Sequence, residues 1–302
     1  MYNFARILRR TLFKRMGGLL LAPALPLSSM ADTGAKPALR IAHLTDIHLK
    51  DKFDAPLHLR DCLHHVQSRQ PAVDFILNGG DLVFDMNKED LATNEAQWKL
   101  VKSVFRSESN LPVYSVLGNH DIWWKEKNEK AYALHQLELA KPYYSFVKGG
   151  WKFICLDSVH LDIDNTWYIG KLGEEQFHWL ENELSNTDRN MPVCVLSHIP
   201  ILTATLMIED NIVNKWTMLG GDMHTDTAAI ISLFYKHPNV KLCLSGHIHL
   251  RDKVVYNNVT YICNGAVSGA WWEGNRRETA PGYGLIDLYA DGTFAEQYVN
   301  YK

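Results

Sequence analysis

A chain of 302 residues, 46% hydrophobic and 22% charged, can bury a sizeable core, which excludes a disordered or fibrous protein. Its formal charge of −3 hides an asymmetry: residues 1–31 carry Arg6, Arg9, Arg10, Lys14 and Arg15 and no acid, so the remainder is more acidic than the total. An acidic body argues against nucleic acid or an anionic membrane as partner. No linker rich in Pro, Gly or Ser and no repeat follows residue 37, so residues 32–302 are expected to form a single domain.

The first segment reads as an address. Arg9-Arg10-Thr11-Leu12-Phe13-Lys14 resembles the twin-arginine export motif, an apolar stretch from Met16 to Leu27 follows, and Ser29-Met30-Ala31 suits a signal peptidase. The stretch is shorter than the ~20 apolar residues of a membrane span and contains Pro23 and Pro26. Residues 1–31 are therefore expected to be a signal peptide, and the mature protein periplasmic or secreted without stable membrane insertion. A basic amphipathic anchor that stays attached is the alternative. The five cysteines, Cys62, Cys155, Cys194, Cys243 and Cys263, form no Cys-x-x-Cys pair, and four lie in apolar runs. They are expected to be buried free thiols with no structural disulfide.

From residue 39 a pattern recurs: a short apolar run rich in β-branched residues stops at a polar residue in a turn. Leu39 to Leu44 runs into Asp46 and His48, Val73 to Leu77 into Gly80-Asp81, and Val113 to Leu117 into Gly118-Asn119-His120-Asp121. Val193 to Leu196 runs into His198, and Val240 to Leu244 into Gly246-His247-Ile248-His249. Such runs read as buried strands. Helix-like stretches lie between them, at Leu57 to Arg69, Glu89 to Arg106, Glu174 to Leu184 and Thr225 to Tyr235. Alternating strands and helices give a covered sheet whose strand carboxyl ends share one edge, where ligands bind. The five polar strand ends are thus expected to converge. Hairpins are expected around Gly149-Gly150, Asn257-Asn258 and Asp291-Gly292. The fold class that follows is α/β, a four-layer αββα sandwich of two mixed sheets flanked by helices.

Singly, each motif has a bland structural explanation: a turn, a helix cap or a satisfied core histidine. In this order they resemble the calcineurin-like metallophosphoesterase family, in its bacterial phosphodiesterase-like branch, over residues 41–249. The resemblance implies two divalent metal ions, with Asp46, His48 and His249 on one, Asn119, His198 and His247 on the other, and Asp81 bridging. Carboxylate and imidazole donors without thiolate suit Mn²⁺, Fe²⁺ or Zn²⁺. It implies further that His120 protonates the leaving oxygen or steadies the phosphoryl group, with Asp121 and Asp85 as candidates to orient it. Gly80-Asp81 has its second acid, Asp85, four residues on and no following Arg, unlike the family's protein phosphatases.

For the substrate, Trp123 beside the metal loop and His224 at the end of a possible capping loop (Thr203 to His224) are the candidates. Loss of Trp123 is then expected to raise KM more than it lowers kcat. The pair Trp271-Trp272 reads as core packing, His43 as a buried structural residue, and Asp157 and His160 are given no chemistry. The activity implied is hydrolysis of a small-molecule phosphomonoester or phosphodiester by direct attack of metal-bound hydroxide. A nucleotide-type diphosphatase at the same site, or a non-catalytic scaffold of the same fold, are the alternatives; the sequence leaves the oligomeric state open.

Overall fold

The computed structural model describes residues 36–87, 89–124, 129–161, 168–208 and 218–302, so the expected signal peptide lies outside the described residues. In chain order the elements are β1 (Leu39–Leu44), α1 (Ala55–Gln67), β2 (Phe75–Asn78), α2 (Leu91–Glu108), β3 (Val113–Ser115), α3 (Ala131–Gln136), β4 (Tyr144–Lys148) and β5 (Trp151–Cys155). There follow β6 (Val159–Leu161), β7 (Tyr168–Gly170), α4 (Gly173–Ser185), β8 (Val193–Leu196), α5 (Thr227–Lys236), β9 (Val240–Ser245), β10 (Asp252–Tyr256), β11 (Val259–Cys263), β12 (Gly282–Leu288) and β13 (Phe294–Asn300).

Two large sheets result, in the orders β13-β12-β1-β2-β3 and β10-β11-β9-β8-β5-β4. Within them β1, β2 and β3 run parallel, as do β5, β8, β9 and β11, while the outer strands pair antiparallel. Alternation of side chains sorts the core into three layers. In the first sheet Leu39, Ile41, Phe75 and Leu77 meet Phe153, Cys194, Leu196 and Leu244 of the second sheet. Their neighbours Ala42, Leu44 and Ile76 face Leu59, Leu63, Trp98 and Val101 of α1 and α2. Val193 and Val195 face Leu180 and Leu184 of α4 and Ile230 and Phe234 of α5. The order is helices, sheet, sheet, helices, as expected. Both faces of each inner strand are covered, which is why these strands read as near-continuous apolar runs.

The helices bury the faces their spacing dictates. In α1, Leu59, Cys62, Leu63 and Val66 fall on one stripe, behind Pro56 in the first turn. In α2 the Asp90 carboxylate caps the start by accepting from Thr93 N at 2.8 Å. The hairpin turns at Gly149-Gly150 and Asn257-Asn258 both have positive φ, as two-residue turns require. All five cysteines are buried and unpaired, and burial pushes the Cys155 thiol up to about 12. No described helix is long and apolar enough to cross a membrane.

Candidate metal centre

The parallel strands of both sheets present their carboxyl ends at one edge, and the loops leaving β1, β2, β3, β8 and β9 meet there. Two of these loops are tied together: Asp46 N donates to Gly80 O (3.0 Å), His48 N to Asp81 O (2.9 Å) and Leu49 N to Leu82 O (2.9 Å). Five of the seven expected ligands sit in the left-handed region, with φ of 54° at Asp46, 46° at His48, 56° at Asp81, 72° at His247 and 60° at His249. Each such residue costs on the order of 1–3 kcal/mol and persists only where its surroundings fix it. Close approach adds a second constraint. A Cβ on Gly118 would come within 2.0 Å of Asp81 Oδ1, and one on Gly246 within 2.2 Å of Asp46 Oδ2. Glycine is the one residue that lets these loops pass so near the carboxylates.

The donor atoms converge in two groups, linked by a third in which Asp81 joins His48 and His120. Asp46, His48 and His249 form one group and Asp81, His198 and His247 the other, with the donor atoms of each group mutually within 4.8 Å. Asp81 Oδ2 lies 3.6 Å from His48 Nε2 and 3.3 Å from His198 Nε2, so one carboxylate oxygen faces both. Asn119 Oδ1 is 3.1 Å from His198 Nε2. His198 Nδ1 donates to Gly79 O at 2.8 Å and His249 Nδ1 to Gly269 O at 2.7 Å, which orients both rings with Nε2 inward. Across the centre His48 Nε2 and His249 Nε2 are 3.1 Å apart. His247 Nδ1 and His198 Nε2 are 3.2 Å apart. Acceptors aimed at one another at that range suit a shared cation, and the mixed N/O set without sulfur suits a borderline divalent ion.

Electrostatics agree with that fit. Burial works against charge on Asp46 and Asp81, yet the surrounding histidines hold both carboxyls below the usual range. Burial also opposes charge on His198, but Asp81 and Asp46 raise it to about 9. Burial wins at His247, which falls to about 3, and at His48, which is also lowered, so both are neutral donors near pH 7. The buried carboxylates thus draw positive charge to this point.

His120 stands beside the cluster, its backbone N–H bonded to Asp81 Oδ1 at 2.8 Å and its Nδ1 3.4 Å from Asp85 Oδ1. Burial disfavours its charged form, but Asp81 and Asp85 prevail and its pKa is raised. Asp85 therefore faces His120 as expected. Asp121 does not. Its carboxylate accepts the N–H groups of Asp81 (2.8 Å), Gly118 (3.0 Å), Leu82 (2.9 Å) and Val83 (3.3 Å), and so braces the loop that carries Asp81.

Both expected substrate residues lie elsewhere. A 3₁₀ turn at Asn119–Asp121 redirects the chain, and Trp123 packs in the helix-side core, edge-on to Tyr132. His224 is fully enclosed between Ser197 Oγ (3.1 Å) and Asp226 Oδ1 (3.0 Å), away from the centre. His43 is buried, as expected, and accepts from the Asn264 amide at 2.7 Å. Asp157 pairs with Lys130 at 2.6 Å. The cavity over the metal centre, about 290 Å³, is walled by His120, His247 and His249 together with Tyr168, Asp222, Trp271 and Arg276. Sequence reasoning gave no role in the site to Tyr168, Trp271 or Arg276. Of the expected capping segment, Leu206 and Asp222 reach the cavity, and residues 209–217 lie outside the described residues.

Fold and site together define a metal-dependent phosphoric ester hydrolase. The chain belongs to the calcineurin-like phosphoesterase family, whose pattern matches residues 39–251. It is 26% identical to a 3′,5′-cyclic-nucleotide phosphodiesterase of Nostoc sp. over 86% of this chain and 91% of that one. It is 23% identical to the 3′,5′-cyclic adenosine monophosphate phosphodiesterase CpdA of Escherichia coli, over 86% and 88%. In fold it resembles a dimetal phosphatase from Danio rerio with a TM-score of 0.64, at 15% identity, covering 88% of this chain and 98% of that one.

Proposed function

We propose that the protein uses two divalent ions to hydrolyse a phosphodiester of the nucleotide type by direct attack of water, without a covalent intermediate. The observation that carries this is the single oxygen, Asp81 Oδ2, facing one histidine of each donor group, His198 at 3.3 Å and His48 at 3.6 Å. Mn²⁺, Fe²⁺ or Zn²⁺ held there supplies Lewis acidity and a water acidic enough to attack near neutral pH. Asp46, His48 and His249 would hold one ion, Asn119, His198 and His247 the other. With Nδ1 turned to Asp85, His120 leaves Nε2 for the leaving oxygen. The water oxygen bonds to phosphorus as the ester P–O bond breaks. The leaving oxygen takes its proton from His120 Nε2, and the proton released by water restores it.

The diester preference is supported by the cyclic-nucleotide phosphodiesterase relatives, which align over most of the chain. The same fold occurs in a Plasmodium protein described as an anchor in the inner membrane complex, so fold alone does not argue catalysis; the converging donors and His120 do. The protein loaded with Mn²⁺ is expected to cleave bis-p-nitrophenyl phosphate and 3′,5′-cAMP faster than p-nitrophenyl phosphate or a nucleotide pyrophosphate. A preference for the pyrophosphate would favour the diphosphatase alternative. The reading extends to location: the twin-arginine-like segment supports export to the periplasm. Replacing Arg9 and Arg10 by Lys should retain a reporter fusion in the cytoplasm, and unchanged export would discard that assignment.

A further inference from the structure

Trp271 combines a strained backbone with contacts to the rings of the centre. Its indole lies 3.7 Å from the His48 ring at 31°, 4.8 Å from His120 at 79° and 5.7 Å from His249, measured between centroids. Phe84 abuts it edge-on at 5.2 Å. Trp271 and Trp272 have φ of 57° and 75°, a conformation bulky side chains rarely adopt. The segment is held by its neighbours: Trp272 Nε1 donates to His48 O (3.0 Å), Trp272 N to Ser268 O (2.8 Å) and Ser268 Oγ to Asp46 O (2.7 Å). The two tryptophans differ in what they do. Trp272 is buried and fastens the metal loop, whereas Trp271 is half-buried and forms part of the cavity wall.

One face of the Trp271 indole is taken by His48. His120, the proposed donor to the leaving oxygen, stands perpendicular to the indole, and both line a cavity whose other walls are mainly charged and hydrogen-bonding side chains. An alcohol oxygen that receives a proton from His120 is released into this same cavity, beside the indole. Strain kept in place at such a point is characteristic of a functional position.

We infer that the indole surface of Trp271 that lines the cavity is the leaving-group subsite, taking a flat ring such as a nucleobase by stacking. The centre thereby selects diesters whose departing alcohol carries a base over diesters of small aliphatic alcohols. This rests on the phosphodiesterase reading above. In 3′,5′-cAMP cleavage of the P–O3′ bond frees the ribose 3′ oxygen to take the proton, while that ribose and its adenine stay joined to phosphorus through the 5′ ester.

The test compares wild type, Trp271→Ala and Trp271→Phe, each loaded with Mn²⁺, on 3′,5′-cAMP and on glycerophosphoethanolamine, a diester without an aromatic ring. Metal content is measured by atomic absorption, and binding of a slowly hydrolysed phosphorothioate analogue of cAMP by calorimetry. Loss of one stacking contact corresponds to roughly 5- to 150-fold in affinity. Trp271→Ala should therefore lose about 10-fold more in kcat/KM on cAMP than on glycerophosphoethanolamine, chiefly in KM, and bind the analogue correspondingly more weakly. Trp271→Phe should recover most of that difference, with metal content equal to wild type. Parallel losses on both esters, or losses that follow metal content, would overturn the subsite. So would a wild type that cleaves glycerophosphoethanolamine and not cAMP, although phosphodiesterase activity would then stand. A wild type holding two ions that cleaves neither these esters nor bis-p-nitrophenyl phosphate would remove the phosphodiesterase reading itself.

Discussion

Two buried histidine–aspartate arrangements lie on either side of β8, and they differ in where their protons go. Behind the strand, Ser197 Oγ donates to Ile199 O at 2.7 Å, His224 Nε2 sits 3.1 Å from that oxygen, and His224 Nδ1 meets Asp226 at 3.0 Å. That chain is closed, with a partner at every step. In front of it, His198 donates its Nδ1–H to Gly79 O and turns its other nitrogen toward Asp81, Asn119 and His247. Burial is complete in both places and cannot tell them apart. A closed hydrogen-bond chain marks structure, and facing acceptors mark a cation site.

Asp81→Ala tests this contrast most severely. It should abolish the two-ion stoichiometry and lower kcat/KM on the order of 10³-fold, because several kcal/mol of transition-state stabilisation are lost. Retention of two ions by atomic absorption would collapse the distinction. His120→Ala should lower kcat by roughly 10²- to 10⁴-fold while leaving metal content intact, which separates the proton donor from the ligands. Asp121→Asn should weaken metal binding about 10- to 100-fold in a chelator competition, since it loosens the loop carrying Asp81 without touching the ions.

His224→Gln addresses the closed chain. It should cost about 1–3 kcal/mol in a denaturant titration, as for a broken buried hydrogen bond, while kcat and metal content change by a few-fold at most. Loss of an ion in this variant would show that the two arrangements are one site. Asp85→Asn is the mildest change. Burial disfavours the charged His120 ring, but Asp81 and Asp85 raise its pKa, so the acid form persists to higher pH than in an ordinary histidine. Without the Asp85 charge that pKa falls, and the alkaline decline of kcat/KM should move to lower pH. A decline that stays in place would deny His120 its partner.

Much of the centre was legible in the sequence because strand ends are local events. An apolar β-branched run that stops at Asp, His or Asn announces both a buried strand and a polar residue at its tip. The rule that parallel strands share a carboxyl edge then brings Asp46, His48, Asp81, Asn119, His198, His247 and His249 together. The same locality misled at Trp123, whose nearness to Asn119 in sequence suggested the cavity. One 3₁₀ turn sends it into the core instead. Asp121 likewise neighbours His120 in the chain but is spent on four backbone N–H groups.

Trp271 shows what tertiary structure alone decided. The segment Val259 to Cys263 reads as the return arm of a hairpin, and it does pair antiparallel with β10. Its other neighbour, however, is β9, to which it runs parallel, and so its carboxyl end falls on the ligand edge. A strand's direction relative to a non-sequential partner is set by sheet order, which depends on long-range packing of whole layers. Local periodicity carries no record of it. The sequence by itself therefore determined which residues could hold the ions and that they would meet. Which aromatic side chain would stand over them waited on the order of the strands.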